Sequence, residues 1–133
     1  MSIARTLVFV YGTLKRGGSN HAFLESQEFV GDARTPPGFR LFEIADYPGL
    51  VKDPSDRRGV YGEVWSVDAH CLADLAALEG IEEKLYRRAP LPLLPPFDQS
   101  PVEGYFYLRN IRGRRPLIDG NWPVRIEPPR TPF

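Results

Sequence analysis

Val8-Phe9-Val10-Tyr11-Gly12-Thr13-Leu14-Lys15-Arg16-Gly17 (VFVYGTLKRG, residues 8–17) is the stretch on which the reading of this chain turns. The run from Thr6 to Tyr11 is apolar at both alternating parities and rich in strand formers, so it reads as a strand buried on two faces. Gly12 stops it. A short hydroxyl residue, a basic pair and two glycines (Gly17, Gly18) follow. Backbone amides exposed at such a turn can hold a carboxylate or a phosphate, and Lys15 and Arg16 can add charge. The spacing is neither that of a P-loop nor that of a dinucleotide fingerprint. On the residues alone, a tight turn with a solvated basic pair is the competing reading.

Outward from this segment, Asn20 is placed to cap a short helix of about two turns carrying His21, Phe23 and Leu24. Phe29–Ala33 and Phe39–Ile44 read as strands separated by Pro36-Pro37-Gly38. Tyr47–Lys52 (YPGLVK) is a turn running into a strand. Val60–Val67 alternates with apolar groups on both sides, which suits a curved sheet covered on both faces. Asp68 is a good N-cap for a helix from Ala69 to about Glu79, whose stripe is Leu72, Leu75, Ala76 and Leu78, and Gly80 ends it. Lys84–Leu94 is a strand candidate broken by Pro90 and Pro92, and Val102–Leu108 is the last clear strand. Ten of the 14 prolines lie at or after Pro90, so edge strands and tight loops are expected there. The tail from Pro128 to Phe133 is expected to lie extended or fray. Strands outnumber helices, which predicts an α+β fold: a small mixed sheet, curled or closed, with helices outside.

The chain has 133 residues, enough for a single domain spanning 1–133. Its 17 basic and 17 acidic side chains cancel, so no global field exists to hold nucleic acid or an anionic membrane. The charges are nonetheless segregated: residues 1–83 hold 8 basic and 13 acidic groups, and residues 84–133 hold 9 and 4. The run Arg112-Gly113-Arg114-Arg115 is too short, and too poor in aromatics, to read as a nucleic-acid face. One cysteine, Cys71, excludes an internal disulfide, and with His21 and His70 it forms no zinc-ligand pattern. The longest apolar run, Leu7–Tyr11, is too short to cross a membrane, and no signal peptide is evident, so a cytoplasmic location is expected.

Two places carry candidate chemistry: the turn after the first strand, and the acidic cluster Glu79, Glu82 and Glu83 just past a helix end. A carboxylate is disfavoured at a helix C-terminus. One that points into a cleft has its pKa raised towards neutrality, as a proton shuttle requires. Sequence does not say which of the three faces inward. Cys71 reads as a small buried hydrophobe. His70 reads as exposed, and His21 lies near the glycine turn. Trp65, Tyr105, Tyr107 and Trp122 read as core or rim. Tyr86 stands out for its nearness to Glu82.

With these segments in view, the chain resembles the gamma-glutamylcyclotransferase-like family, which includes gamma-glutamylamine cyclotransferases and AIG2-like proteins. The likeness rests on an ordered set of blocks: VFVYGTLKRG with Asn20-His21 following, YPGLV at 47–51, GVYGEVW at 59–65, LADLAALEGIEEKLYRR at 72–88 and VEGYFY at 102–107. The resemblance implies a small mixed β-barrel with flanking helices, and a cavity beside the end of the first strand. It implies that Tyr11, Gly12, Thr13 and Leu14 receive the glutamyl moiety of a small-molecule substrate. By spacing it assigns the acid/base glutamate to Glu82, four positions before Tyr86, with Glu83 and Glu79 as the other alignments. It also implies a soluble protein without metal or other cofactor, without nucleic-acid or membrane partners, and a monomer or weak homodimer.

The implied chemistry is the release of 5-oxoproline and a free amine or amino acid from a γ-glutamyl compound. The substrate's α-amine, once deprotonated by the glutamate, attacks its own γ-carbonyl and closes a five-membered lactam. Backbone amides at Gly12–Leu14 stabilise the oxyanion or hold the α-carboxylate. The alternative is a non-catalytic member of the same fold that binds a small molecule. The leaving amine is open, with the Pro-rich segment 90–101 and the tail after Trp122 as candidate walls of its side.

Overall fold

The computed structural model describes residues 4–123. Eight strands and two short helices follow in chain order: β1 (Arg5–Val10), a one-turn 3-10 helix (His21–Leu24), β2 (Glu28–Arg34), β3 (Phe39–Glu43), β4 (Pro48–Lys52), β5 (Tyr61–Asp68), α1 (Ala69–Leu78), β6 (Tyr86–Pro90), β7 (Val102–Tyr107) and β8 (Arg115–Leu117). The strands form one mixed sheet in the order β2-β5-β1-β7-β4-β3-β8, with β6 also paired to β7. β1 runs antiparallel to β5, with Phe9 opposite Val64, and parallel to β7, with Val8 opposite Glu103.

The double-sided burial of β1 follows from its sequence. Val8 and Val10 enter one core cluster with Trp65, Val67, Tyr105 and Tyr107, covered by Cys71 and Leu75 of α1 and by Leu24. Phe9 and Tyr11 enter a second cluster with Leu41, Leu50, Val64 and Phe106. That second cluster draws side chains from β1, β3, β4, β5 and β7 without a helix, so the sheet must curve around it. Closure, however, is not reached: among the described residues the terminal strands β2 and β8 do not pair with each other. The closed barrel implied by the family resemblance is thus corrected to an open mixed sheet. β8 is three residues long, and its Pro116 has no N–H to offer a neighbour.

Three other expectations change. The segment after Asn20 makes one 3-10 turn rather than about two turns of helix, because the Asn20 side chain does not cap it. The proline-rich half does supply a central strand: β7 pairs with β1, β4 and β6, and its own six residues hold no proline. The segment 90–101 sends Leu91 and Leu93 into the second core cluster. The expected tail after Pro128 lies outside the described residues.

α1 is bounded as its ends dictate. The Asp68 carboxylate accepts from Cys71 N at 2.8 Å. At the other end, Gly80 adopts φ +61°. Gly80 N donates to Ala77 O at 3.2 Å and Ile81 N to Ala76 O at 3.1 Å, a Schellman arrangement that leaves Glu79 as the C-cap. The arginine-rich segment is tied to β3: Arg114 donates to Ile44 O at 2.7 Å and Arg115 pairs with Glu43. Among the described residues no helix is long and apolar enough to cross a membrane.

Candidate active site

The residues following β1 line a cavity of about 230 Å³ that is also bordered by Tyr47 and Pro48, by Glu79 and Tyr86, and by Tyr105 of β7. Gly12 is required by close approach: a Cβ there would lie 2.7 Å from two ring carbons of Pro48. Beyond it the chain folds back through its carbonyls. Lys15 N donates to Gly12 O at 3.1 Å and Asn20 N to Thr13 O at 2.9 Å. The Asn20 amide donates to Thr13 Oγ1 at 2.9 Å, and His21 Nδ1 lies 3.0 Å from Leu14 O. That last bond makes Nδ1 the protonated nitrogen of His21. These bonds consume carbonyl oxygens. Among the described residues, the amide groups of Gly12, Thr13 and Leu14 find no acceptor, so they remain available to an anionic or carbonyl oxygen in the cavity.

The basic pair does not add its charge to this cavity. Lys15 is 6% exposed, and its ammonium donates to Asn121 Oδ1 at 2.9 Å and to Trp122 O at 2.7 Å. Arg16 pairs with Glu63 at 2.9 Å and with Asp32 at 2.8 Å. Among the described residues, no cationic side chain lines the cavity.

Of the three glutamates, it is Glu79 that lines the cavity. The expectation that Glu82 does so is corrected: Glu82 is exposed, as is Glu83. The cause is the turn after α1. Leu85 N donates to Gly80 O at 3.0 Å and Lys84 N to Ile81 O at 3.1 Å, while Arg109 clamps the carbonyls of Glu83 and Lys84 from outside. The loop that carries Glu82 therefore projects to solvent. Glu79 instead continues the buried face of α1, four residues after Leu75 and eight after Cys71, both buried. Burial raises its carboxyl pKa to about 7. Its place at the negative end of the helix acts in the same direction.

Two cavity tyrosines are committed to the framework. The Tyr11 hydroxyl donates to Tyr105 O at 2.7 Å and accepts from Leu50 N at 3.2 Å. The Tyr86 hydroxyl donates to Pro48 O at 2.7 Å, and its ring packs edge-on against Tyr107. Burial pushes both phenols well above their ordinary pKa. His21 packs edge-on against Trp65, with ring centres 5.2 Å apart. Cys71 is buried and contacts Phe23 O. Among the described residues no cluster of His, Cys, Asp and Glu is suited to hold a metal ion.

The family model described as "Gamma-glutamyl cyclotransferase, AIG2-like" matches residues 8–124. The chain belongs to this family. It is 38% identical over 120 residues to a Vibrio cholerae protein provisionally named as a gamma-glutamylcyclotransferase, covering 90% of this chain and 97% of that one. It is 36% identical over 93 residues to gamma-glutamylaminecyclotransferase A of Danio rerio, covering 65% of this chain and 57% of that longer protein. The crystal structure of an AIG2-like protein from Mus musculus superposes with a TM-score of 0.64 at 30% identity, covering 79% of this chain and 77% of that one.

Within this gamma-glutamyl cyclotransferase, AIG2-like framework, the structure brings Tyr11, Gly12, Thr13, Leu14 and Tyr86 to one cavity and leaves Glu82 out of it. The segment 90–101 contributes nothing to the cavity lining. Sequence reasoning kept Glu79 only as an alternative to Glu82, and missed Asn20, Tyr47, Pro48 and Tyr105. A signal for Glu79 existed: counting by fours from Cys71 along the helix face reaches Leu75 and then Glu79. No comparable periodicity marks Tyr105, since it alternates inward on β7 like the core residue Tyr107.

Proposed function

We propose that this protein is a gamma-glutamyl cyclotransferase that releases 5-oxoproline and a free amine or amino acid, with Glu79 as the general acid/base. One observation carries the reading: among the described residues, a half-buried carboxyl with a pKa near neutrality borders the same cavity as the open amides of Gly12, Thr13 and Leu14. Among the described residues the lining offers an α-carboxylate those amides as partners, and an α-ammonium Glu79.

The steps follow from that arrangement. Glu79 as carboxylate takes a proton from the α-ammonium of the bound γ-glutamyl compound. The freed amine attacks the γ-carbonyl carbon, forming the new C–N bond of the lactam. Main-chain donors meet the charge that develops on oxygen. Collapse breaks the original amide bond: Glu79 gives its proton to the departing nitrogen and takes the second proton from the ring nitrogen, and that proton leaves with the released amine or to water. Intramolecular attack means the protein's main task is to fold the substrate and pass protons from one nitrogen to the other. At about 230 Å³ the cavity falls below the roughly 300–1,000 Å³ usual for drug-sized ligands. It suits the glutamyl moiety, with the leaving amine directed to the mouth.

The test is a screen of γ-glutamyl amino acids, γ-glutamyl amines and glutathione for 5-oxoproline release by the purified protein. Turnover of at least one class is expected. Absence of 5-oxoproline across all of them overturns the reading and leaves a small-molecule-binding member of the fold.

A further inference from the structure

Lys15 follows the cavity turn directly and is 6% exposed, although lysine is seldom buried without partners. Its ammonium donates to Asn121 Oδ1 at 2.9 Å and to Trp122 O at 2.7 Å, acceptors 106 and 107 positions further along the chain. Burial lowers the pKa of that ammonium, and the fields of Glu63, Asp119 and Asp32 oppose the fall. The segment that supplies both acceptors is itself fixed. Gly120 O accepts from Tyr61 N of β5 at 2.9 Å, and Gly120 N donates to Leu117 O at 3.0 Å. Gly120 is buried with φ +70°, and a Cβ there would run into Gly59 O. Asn121 N in turn donates to Asp119 Oδ1 at 3.2 Å. On the other side of the contact, Lys15 N closes onto Gly12 O at 3.1 Å, and Arg16 N donates to Glu63 Oε1 at 3.0 Å. The open amides of Gly12, Thr13 and Leu14 thus end at a residue gripped through its main chain and its side chain together.

We propose that Lys15 is a positioning residue for the substrate: through Asn121 and Trp122, the segment after β8 holds the Gly12–Leu14 turn and sets where its amides stand. The inference rests on the cyclotransferase reading for what those amides receive. Neither Lys15 nor Asn121 lines the cavity, so the effect passes through the main chain of the turn. A displacement of about 1 Å in a group that orients a substrate can cost up to about 10²-fold in rate. A lysine that merely buttressed the fold would, on removal, loosen the whole molecule evenly. A lysine that sets the turn loosens the turn and spares the strands.

The experiment uses the full chain and compares the parent with Lys15→Met, Asn121→Leu, their double variant and Asn121→Asp. Amide exchange is followed by NMR at Asn20 N, which donates to Thr13 O, at Arg16 N, and along β1. KM for a turned-over γ-glutamyl compound and the affinity for 5-oxoproline are measured beside it. In K15M, Asn20 N and Arg16 N are expected to exchange at least about tenfold faster while β1 stays within about twofold of the parent. KM is expected to rise at least about fivefold, with 5-oxoproline binding weakened. N121L changes an exposed residue and gives a folded variant that moves the same readouts in the same direction. The double variant is expected to be no worse than K15M, since the two side chains act as one clamp, and N121D, which keeps an acceptor for the ammonium, recovers the parent's behaviour. Even acceleration of turn and β1 amides, unchanged turn amides, or a KM within twofold of the parent in K15M and N121L overturns the proposal. If the parent itself releases no 5-oxoproline, it is the cyclotransferase reading that has failed, and the exchange comparison still decides whether Lys15 holds the turn.

Discussion

The Tyr11 hydroxyl donates to the main-chain carbonyl of Tyr105 at 2.7 Å, joining the residue that precedes the cavity turn to β7, the parallel neighbour of β1. The same oxygen accepts from Leu50 N at 3.2 Å, so one phenol serves both β4 and β7. Those strands share only the pair Leu50–Phe106 in their parallel register. Tyr11→Phe leaves a buried N–H and a buried C=O short of a partner. Stability is expected to fall by about 1–3 kcal/mol, read as a lower urea midpoint at unchanged slope. A midpoint equal to the parent's would remove the bridging role.

Glu79 and Glu82 are three residues apart in sequence but lie on opposite sides of the chain reversal at Gly80. Glu79→Gln is expected to lower kcat for 5-oxoproline release by about 10²-fold or more, with the fold retained by circular dichroism. Glu82→Gln is expected to stay within about twofold of the parent, since an exposed surface substitution touches neither cavity nor core. The reverse pattern would return the proton-shuttle role to Glu82.

The raised pKa of Glu79 has two consequences with opposite signs. In the free protein, kcat/KM is expected to rise through pH about 7 as Glu79 ionises to act as base. Stability runs the other way. The folded state holds the Glu79 proton up to about pH 7, against 4.5 for an ordinary glutamate, so folded protein binds more protons than unfolded protein across that window. Its contribution is full below pH 4.5 and is lost as pH rises through about 7. Urea unfolding of the parent and of Glu79→Gln at pH 5 and pH 8 checks this. The parent should lose more stability than E79Q over that interval, and parallel curves would contradict it.

Gly12 sets the approach of the turn to Pro48, where an added Cβ would lie 2.7 Å from the proline ring. Gly12→Ala forces a shift of one wall against the other. Overpacking of this kind costs about 1–3 kcal/mol, and the shift should also misplace the amides of Thr13 and Leu14. The expected result is a lowered Tm together with a raised KM. Parent-like values for both would show that the turn does not need the close approach.

The chain alone disclosed most of the scaffold. The apolar run before Gly12, the alternation through β5 and the stripe after Asp68 are periodic signals, and each became the expected element within a residue or two. It disclosed less at the margins. β8 is only three residues, too short for alternation to register. The centrality of β7 was obscured by prolines that flank the strand without entering it. At the site, the turn Tyr11–Leu14 and Tyr86 were legible as a motif, whereas the choice among three glutamates depended on where one helix stops.

What the sequence by itself determined is the buried first strand, the glycine turn after it, and a helix ended by Gly80, because strand burial, close backbone approach and a left-handed C-terminus are each demanded by local residue types. Only the tertiary structure decided that Glu79 rather than Glu82 borders the cavity, and that Lys15 and Arg16 turn away from it. Those outcomes depend on which groups meet across strands distant in sequence, and hydrogen-bond partners of that kind leave no periodic trace along the chain.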